Sequence, residues 1–197
     1  MLDSKSEVSP PTQYPAHRSA RLRSYDYAFP GAYFVTVCTH ERNPSVGHIG
    51  DGNMEPNAIG KIADTRWADI KVHFPNTELP AYVVMPNHVH GIIMLQEAVG
   101  TRHAVSASAH ETFGRPVAGS LPTIIRSFKS AVTKQVNVTR GENPIVIWQK
   151  GYYEHVIRTD HELVQIGDYI LNNPAQWQWD RENSGGTKGR KPLPFEY

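Results

Sequence analysis

The chain has 197 residues, 39% of them hydrophobic, with 20 Lys+Arg against 19 Asp+Glu and a formal net charge of +1. That length fits one domain with tails, and the charge balance excludes a polybasic arm or an acidic solvating protein. A single cysteine, Cys38, excludes an internal disulfide and a cysteine-based zinc site. The longest apolar runs, Ala81–Met85 and Gly91–Leu95, are too short to cross a bilayer, and the N-terminus lacks the apolar core of a signal peptide. A cytoplasmic protein without a membrane partner is therefore expected. No short internal period points to a repeat architecture.

Residues 1–16 are polar, with Pro10, Pro11 and Pro15, and read as a flexible N-terminal arm. His17–Arg23 is the most basic stretch nearby. Ala32–Thr39 reads as a buried strand, with Tyr33, Val35 and Val37 on one face and Phe34, Thr36 and Cys38 on the other. A Gly/Pro/Asn-rich loop or short hairpin spans Asn43–Pro56. Asn57 is a candidate N-cap for a helix reaching about Phe74, with Ile59, Ile62, Ala63, Trp67, Ile70 and Phe74 as its apolar stripe. Ala81–Met85 and Val89–Leu95, separated by Pro86-Asn87, read as a β-hairpin.

Residues 97–119 are rich in Ala, Ser, Gly and Thr and read as a mobile insertion. Ser120 opens a second helix whose core stripe is Leu121, Ile124, Ile125, Phe128, Val132 and Val136. Ile145–Trp148 and Tyr153–Ile157 are strand-like. Thr159-Asp160-His161-Glu162 fits a capping box, and Leu163, Ile166 and Ile170 form the core stripe of a last helix ending near Pro174. From Asp180 onward, residues 180–197 read as a polar, basic, disordered tail. The order of elements predicts an α+β fold: a ferredoxin-like antiparallel sheet, βαββαβ, with helices largely on one face plus a C-terminal helix. The main domain is residues 17–179.

His88 and His90 stand two apart on a predicted strand, so both imidazoles leave the same face. Two such histidines can share a metal ion, and they can equally be half-buried strand residues. Tyr169 and Asn173, at i and i+4 on the last helix, also share a face. Taken alone, Tyr169 also reads as a packed aromatic and Asn173 as a helix-end residue. His103 and His110 fall in the insertion and read as exposed. Tyr152 and Tyr153 are adjacent on a strand-like segment, so they face opposite ways.

Taken together in order and spacing, several segments carry a resemblance. They are RLRSYDY (21–27), GAYFVTVCT (31–39), MPNHVHGII (85–93), SFKS (127–130), WQKGYYEHVIR (148–158) and YILNNPAQW (169–177). The chain resembles the REP-associated tyrosine transposases, relatives of the IS200/IS605 transposases within the HUH single-strand nucleases. The resemblance implies that His88 and His90 are metal ligands, that Tyr169 on the last helix is the nucleophile, and that Asn173 is the third ligand. Relatives often have Gln there, one methylene longer. The implied cofactor is a divalent metal, Mg²⁺ or Mn²⁺, acting as Lewis acid and template. The implied partner is single-stranded DNA carrying hairpin, REP-like elements, cut and rejoined through a 5′-phosphotyrosine bond. Arg21, Arg23, Arg126, Lys129, Lys150 and Arg158 become candidate DNA contacts by the same resemblance, and each also reads as a solvated surface charge. A monomer or homodimer is implied, with the REP-associated group closer to the monomer. Two other readings share the fold: a hairpin-DNA-binding protein that does not cut, and a replication- or relaxase-type HUH nuclease. A metal-dependent phosphohydrolase unrelated to DNA would leave no covalent adduct.

Overall fold

The computed structural model describes residues 25–97, 117–183, 185–186 and 193–195. The N-terminal arm, Arg21, Arg23, His103, His110 and most of the expected insertion lie outside the described residues.

The first strand, β1 (Gly31–Cys38), leads through a 3-10 turn at His40–Arg42 into a hairpin of β2 (Gly47–Gly50) and β3 (Asn53–Pro56). Helix α1 (Ala58–Ala68) begins where the Asn57 side chain accepts hydrogen bonds from the backbone N–H groups of Ile59 and Gly60. The single helix expected to reach Phe74 is broken at Asp69, and a short α2 (Ile70–His73) follows. Next come β4 (Thr77–Glu78), β5 (Tyr82–Met85) and β6 (His88–Leu95), the last two joined by the Pro86-Asn87 turn. Helix α3 (Leu121–Arg140), β7 (Tyr153–Ile157), α4 (Asp160–Asn172) and a 3-10 turn over Pro174–Trp179 complete the order. The two-residue β4 was not expected. Ile145–Trp148 contributes one bridge, Thr39 to Trp148, where a strand was expected.

The sheet runs β4-β6-β1-β7, with β5 also on β6, and every pairing is antiparallel. Tracing β7-β1-β6-β5 gives the strand order of a ferredoxin-like βαββαβ layer. Alternation divides the sheet into two cores. Tyr33, Val35, Val37, Val89 and Ile93 pack with Ala63 and Trp67 of α1 and with Leu121, Ile124, Ile125 and Phe128 of α3. Phe34, Ile92 and Ile157 pack on the other face with Ile166 and Ile170 of α4. At about 25 cal/mol per Å², each fully buried Val, Leu, Ile or Phe side chain contributes roughly 1.5–3 kcal/mol of transfer free energy.

Gly91 shows how the first core constrains the second face. A Cβ at this position would overlap the Trp67 ring. The missing side chain lets the indole press against the strand directly behind His90. Trp67 also stacks on Tyr82 at 5.9 Å and meets Phe128 edge-on at 5.1 Å. Among the described residues, no helix is long and apolar enough to cross a membrane.

Candidate active site

Register carries the two histidines onto the α4 side of the sheet: His88 is opposite Cys38 and His90 is opposite Thr36. Their side chains project on the Phe34 face, while the intervening Val89 enters the α1/α3 core. The rings lie 4.1 Å apart between centroids, and the residues are 0% and 1% exposed. His88 Nδ1 meets Asn87 Oδ1 at 2.9 Å, and His90 Nδ1 meets Thr36 Oγ1 at 2.9 Å. Both Nε2 atoms are thereby left on the sides away from these partners.

Helix α4 lies across the same face. Its start is set by Thr159, whose hydroxyl accepts from the Glu162 N–H at 3.1 Å. The reciprocal half of the expected box is replaced: the Glu162 carboxylate accepts from the Arg158 N–H at 2.7 Å and contacts His155 Nε2 at 2.6 Å. With Ile166 and Ile170 anchored in the second core, Tyr169 is turned toward β6. Its hydroxyl lies 3.3 Å from His90 Nε2 and donates to Asp180 Oδ2 at 3.2 Å. Asn173, at the C-cap of α4 and 2% exposed, donates from Nδ2 to the same Asp180 oxygen at 2.7 Å.

Asp180 was not among the residues singled out in the sequence. It opens the segment read as a disordered tail, and there the reading needs correction. Asp180 and Glu182 are buried, at 5% and 6% exposure. The Glu182 N–H bonds Asp180 Oδ1 at 2.7 Å, and the Glu182 carboxylate pairs with Arg42 at 3.0 Å and accepts from the Cys38 thiol at 3.4 Å. Hydrogen-bond partners supplied by β1, the 40s turn and α4 outweigh the polar composition that suggested a solvated tail. His88, His90 and Asp180 each offer one ligand atom, all within 4.8 Å of one another.

The electrostatics follow from burial against partners. Burial pushes the His88 imidazole well below its usual range, and the neighbouring His90 pushes the same way. Burial raises the Tyr169 hydroxyl well above the usual tyrosine value, with Asp180 adding to the rise. For Asp180, burial alone would raise the carboxyl; the nearby His90 and His88 imidazoles and the hydrogen bond from Asn173 hold it far below its usual range. In this site, among the described residues, the buried atoms His88 Nε2 and Asn173 Oδ1 have no hydrogen-bond partner. Unpaired buried acceptors beside an ionised carboxylate are the atoms a cation would satisfy. Two imidazoles, one carboxylate and one amide form a mixed N/O donor set that suits a divalent metal such as Mn²⁺ or Mg²⁺.

The candidate DNA contacts separate. Arg126, Lys150 and Arg158 are exposed. Lys129 is engaged otherwise: its ammonium donates to the carbonyls of Gln149 at 2.7 Å and Gly151 at 2.9 Å, and burial lowers its pKa. Lys150 follows Gln149, whose N–H bonds the Cys38 carbonyl at the histidine end of the sheet. Arg158 follows Ile157, which is opposite Ala32 at the far end. Tyr152 packs against the α1/α3 core, whereas Tyr153 packs on the α4 side, in the same cluster as Tyr169.

Paired histidines on a central strand, faced by a tyrosine on a helix packed across the sheet, are the arrangement that the resemblance to the HUH-type transposases implies. A Haemophilus influenzae protein of unassigned function is 35% identical over 167 residues, 83% of this chain and 91% of that protein. A second protein of that organism, which carries the inferred name REP-associated tyrosine transposase, is 28% identical over 151 residues, 77% of this chain and 74% of its own. The solved structure of a REP-associated tyrosine transposase bound to a REP hairpin shares the fold, with a TM-score of 0.53 and 21% identity over 82% of this chain and 76% of that one. No family model matches. In sequence and in fold the chain is similar to the REP-associated tyrosine transposases.

Proposed function

We propose that the chain is a divalent-metal-dependent nuclease and strand transferase acting on single-stranded DNA beside a hairpin. The observation that supports this most is the convergence of the Tyr169 hydroxyl, His90 Nε2 and Asp180 Oδ2 within 4 Å. His88, His90, Asp180 and Asn173 are the residues that would hold the metal. Asn173 serves through Oδ1, the atom without a partner, and Asp180 adds an anionic donor to the set expected from the resemblance. When bound, the metal supplies Lewis-acid charge to the non-bridging phosphate oxygens and favours the phenolate.

The chain's own residues do the rest. Tyr169 Oη attacks phosphorus in line with the 3′-oxygen; the O–P bond to Tyr169 forms and the P–O3′ bond breaks. The phenolic proton passes to solvent water and the departing 3′-oxygen takes one proton from water, so one phosphate ester is exchanged for another without net change in protons. The 5′-phosphotyrosine link conserves the ester, so attack by a 3′-hydroxyl rejoins strands by the reverse path. In the described arrangement both histidines are almost fully covered, so DNA entry requires the segment carrying Trp177 and Asp180 to shift. The Tyr169 hydroxyl meets His90 of the same chain, which supports action by a single copy. Incubation with a labelled single-stranded hairpin substrate and Mn²⁺, followed by a denaturing gel, tests the proposal. A covalent protein–DNA band that vanishes on chelation supports it. Strand cutting without any adduct assigns the attack to water and contradicts it.

A further inference from the structure

Asn87, in the turn between β5 and β6, is 1% exposed and makes three side-chain hydrogen bonds. Its amide orientation is settled by chemistry. Nδ2 lies 3.1 Å from the Arg42 carbonyl and 2.7 Å from the Glu182 carbonyl. Carbonyls only accept, so a rotated amide would bury Oδ1 against two oxygens and lose both bonds. Nδ2 therefore faces the carbonyls, and Oδ1 faces His88 Nδ1 at 2.9 Å. Oδ1 cannot donate, so His88 Nδ1 carries the hydrogen. Among the described residues His88 Nε2 has no hydrogen-bond partner, and the ligand atoms offered by His88, His90 and Asp180 lie within 4.8 Å of one another. The Nδ1–H tautomer leaves a lone pair on Nε2.

His90 is not constrained in this way. Its Nδ1 meets a hydroxyl, Thr36 Oγ1, which can donate or accept, and its Nε2 meets the Tyr169 hydroxyl, whose own proton goes to Asp180 Oδ2. The locking carbonyls near Asn87 are held in turn: Arg42 sits at φ 54, a left-handed conformation that non-glycine residues rarely adopt, and its guanidinium pairs with Glu182 at 3.0 Å.

We propose that Asn87 is a positioning residue that fixes His88 as the Nδ1–H tautomer and so keeps Nε2 open to a divalent cation, an inference that rests on the metal-site reading above. A ligand histidine is commonly oriented by the partner of its other ring nitrogen, and loss of such a partner typically costs about 10- to 100-fold in metal affinity.

The test uses the full-length, metal-free protein. Imidazole ¹⁵N shifts, with the His88 signals assigned by their loss in His88→Gln, are expected to show a protonated Nδ1 and an unprotonated Nε2. Mn²⁺ titration by calorimetry then follows three proteins. Asn87→Ala is expected to mix the His88 tautomers and weaken Mn²⁺ binding about 10- to 100-fold. Asn87→Asp still offers an acceptor to Nδ1–H but repels the two carbonyls. It is expected to keep the tautomer and most of the affinity while losing thermal stability. If affinity follows thermal stability across the variants, Asn87 is merely structural and the proposal is overturned. A wild-type His88 protonated at Nε2 overturns it without any variant having to fold. Failure of the metal-site reading has a different signature: the expected tautomer, but no Mn²⁺ heat in any protein.

Discussion

The Tyr169 hydroxyl lies 3.3 Å from His90 Nε2, joining residues 79 apart in the chain. Neither residue reaches the other by local structure. The contact exists because α4 is registered by its Thr159 cap and by Ile166 and Ile170, while β6 is registered against β1. The proposed nucleophile and one of the proposed ligand histidines are thus placed by two independent parts of the fold.

Asp180 Oδ2 receives hydrogen bonds from both Tyr169 and Asn173, and Oδ1 receives one from the Glu182 backbone. Asp180→Asn replaces one oxygen with a nitrogen that must face a donor. Loss of about 1–3 kcal/mol of stability is expected, together with weaker Mn²⁺ binding. Thermal unfolding and calorimetric titration check the two effects. Removal of metal from the wild type by chelation should stop cleavage and leave hairpin binding intact in a mobility-shift assay.

Lys129 and Lys150 are expected to behave oppositely. Lys129 fixes the carbonyls of Gln149 and Gly151, the latter at φ 73, so Lys129→Ala should lower thermal stability. Lys150 is exposed near the histidine end of the sheet. Lys150→Ala should leave stability unchanged, weaken DNA binding uniformly across sequences and reduce the salt slope by about 0.7 for a single-strand contact. Binding measured at several salt concentrations separates them.

Gly91 has no room for a methyl group against Trp67. Gly91→Ala should destabilise by about 2 kcal/mol, a Tm decrease of roughly 4–8 °C, and disturb His90 next to it. Calorimetric unfolding measures the first effect. An unchanged Tm would show that the indole shifts freely.

Glu162 provides a pH dependence away from the candidate metal ligands. Burial alone would raise its carboxyl, but the Arg158 N–H and His155 hold it below the usual value. A depressed folded-state pKa contributes stability that is present above the unfolded value, about 4.3, and is lost as pH falls. Glu162→Gln should therefore cost about 1 kcal/mol at pH 7, with the gap to wild type closing toward pH 3.5. Urea unfolding at the two pH values reads the difference.

The fold was legible wherever periodicity and turn chemistry agree. Alternation along Ala32–Thr39, Pro86-Asn87 between two apolar runs, and Thr159 before a helical stripe each carry their own local cause. Asp180 carried no such signal. It starts a stretch of charged, Asn, Ser and Gly residues, and its burial depends on donors from Tyr169, Asn173 and Glu182 gathered by tertiary packing. Lys129 shows the converse. Helical spacing puts it on an outward face, yet the loop after α3 brings two carbonyls to its ammonium. Ser120 lies at the start of α3 as expected, but its hydroxyl meets Thr123 Oγ1 at 3.2 Å and caps no backbone N–H.

The central claim is that Tyr169 becomes covalently attached to DNA, and peptide mapping of the adduct tests it most directly. Trypsin separates residues 151–158, which hold Tyr152 and Tyr153, from residues 159–181, in which Tyr169 is the only tyrosine. After reaction with a hairpin substrate and Mn²⁺, nuclease trimming and mass spectrometry should find the nucleotide on the 159–181 peptide. Tyr169→Phe, which removes one hydroxyl and no charge, should give no adduct while binding the hairpin as well as wild type. A nucleotide found on the 151–158 peptide, or an adduct that persists in Tyr169→Phe, would contradict the account.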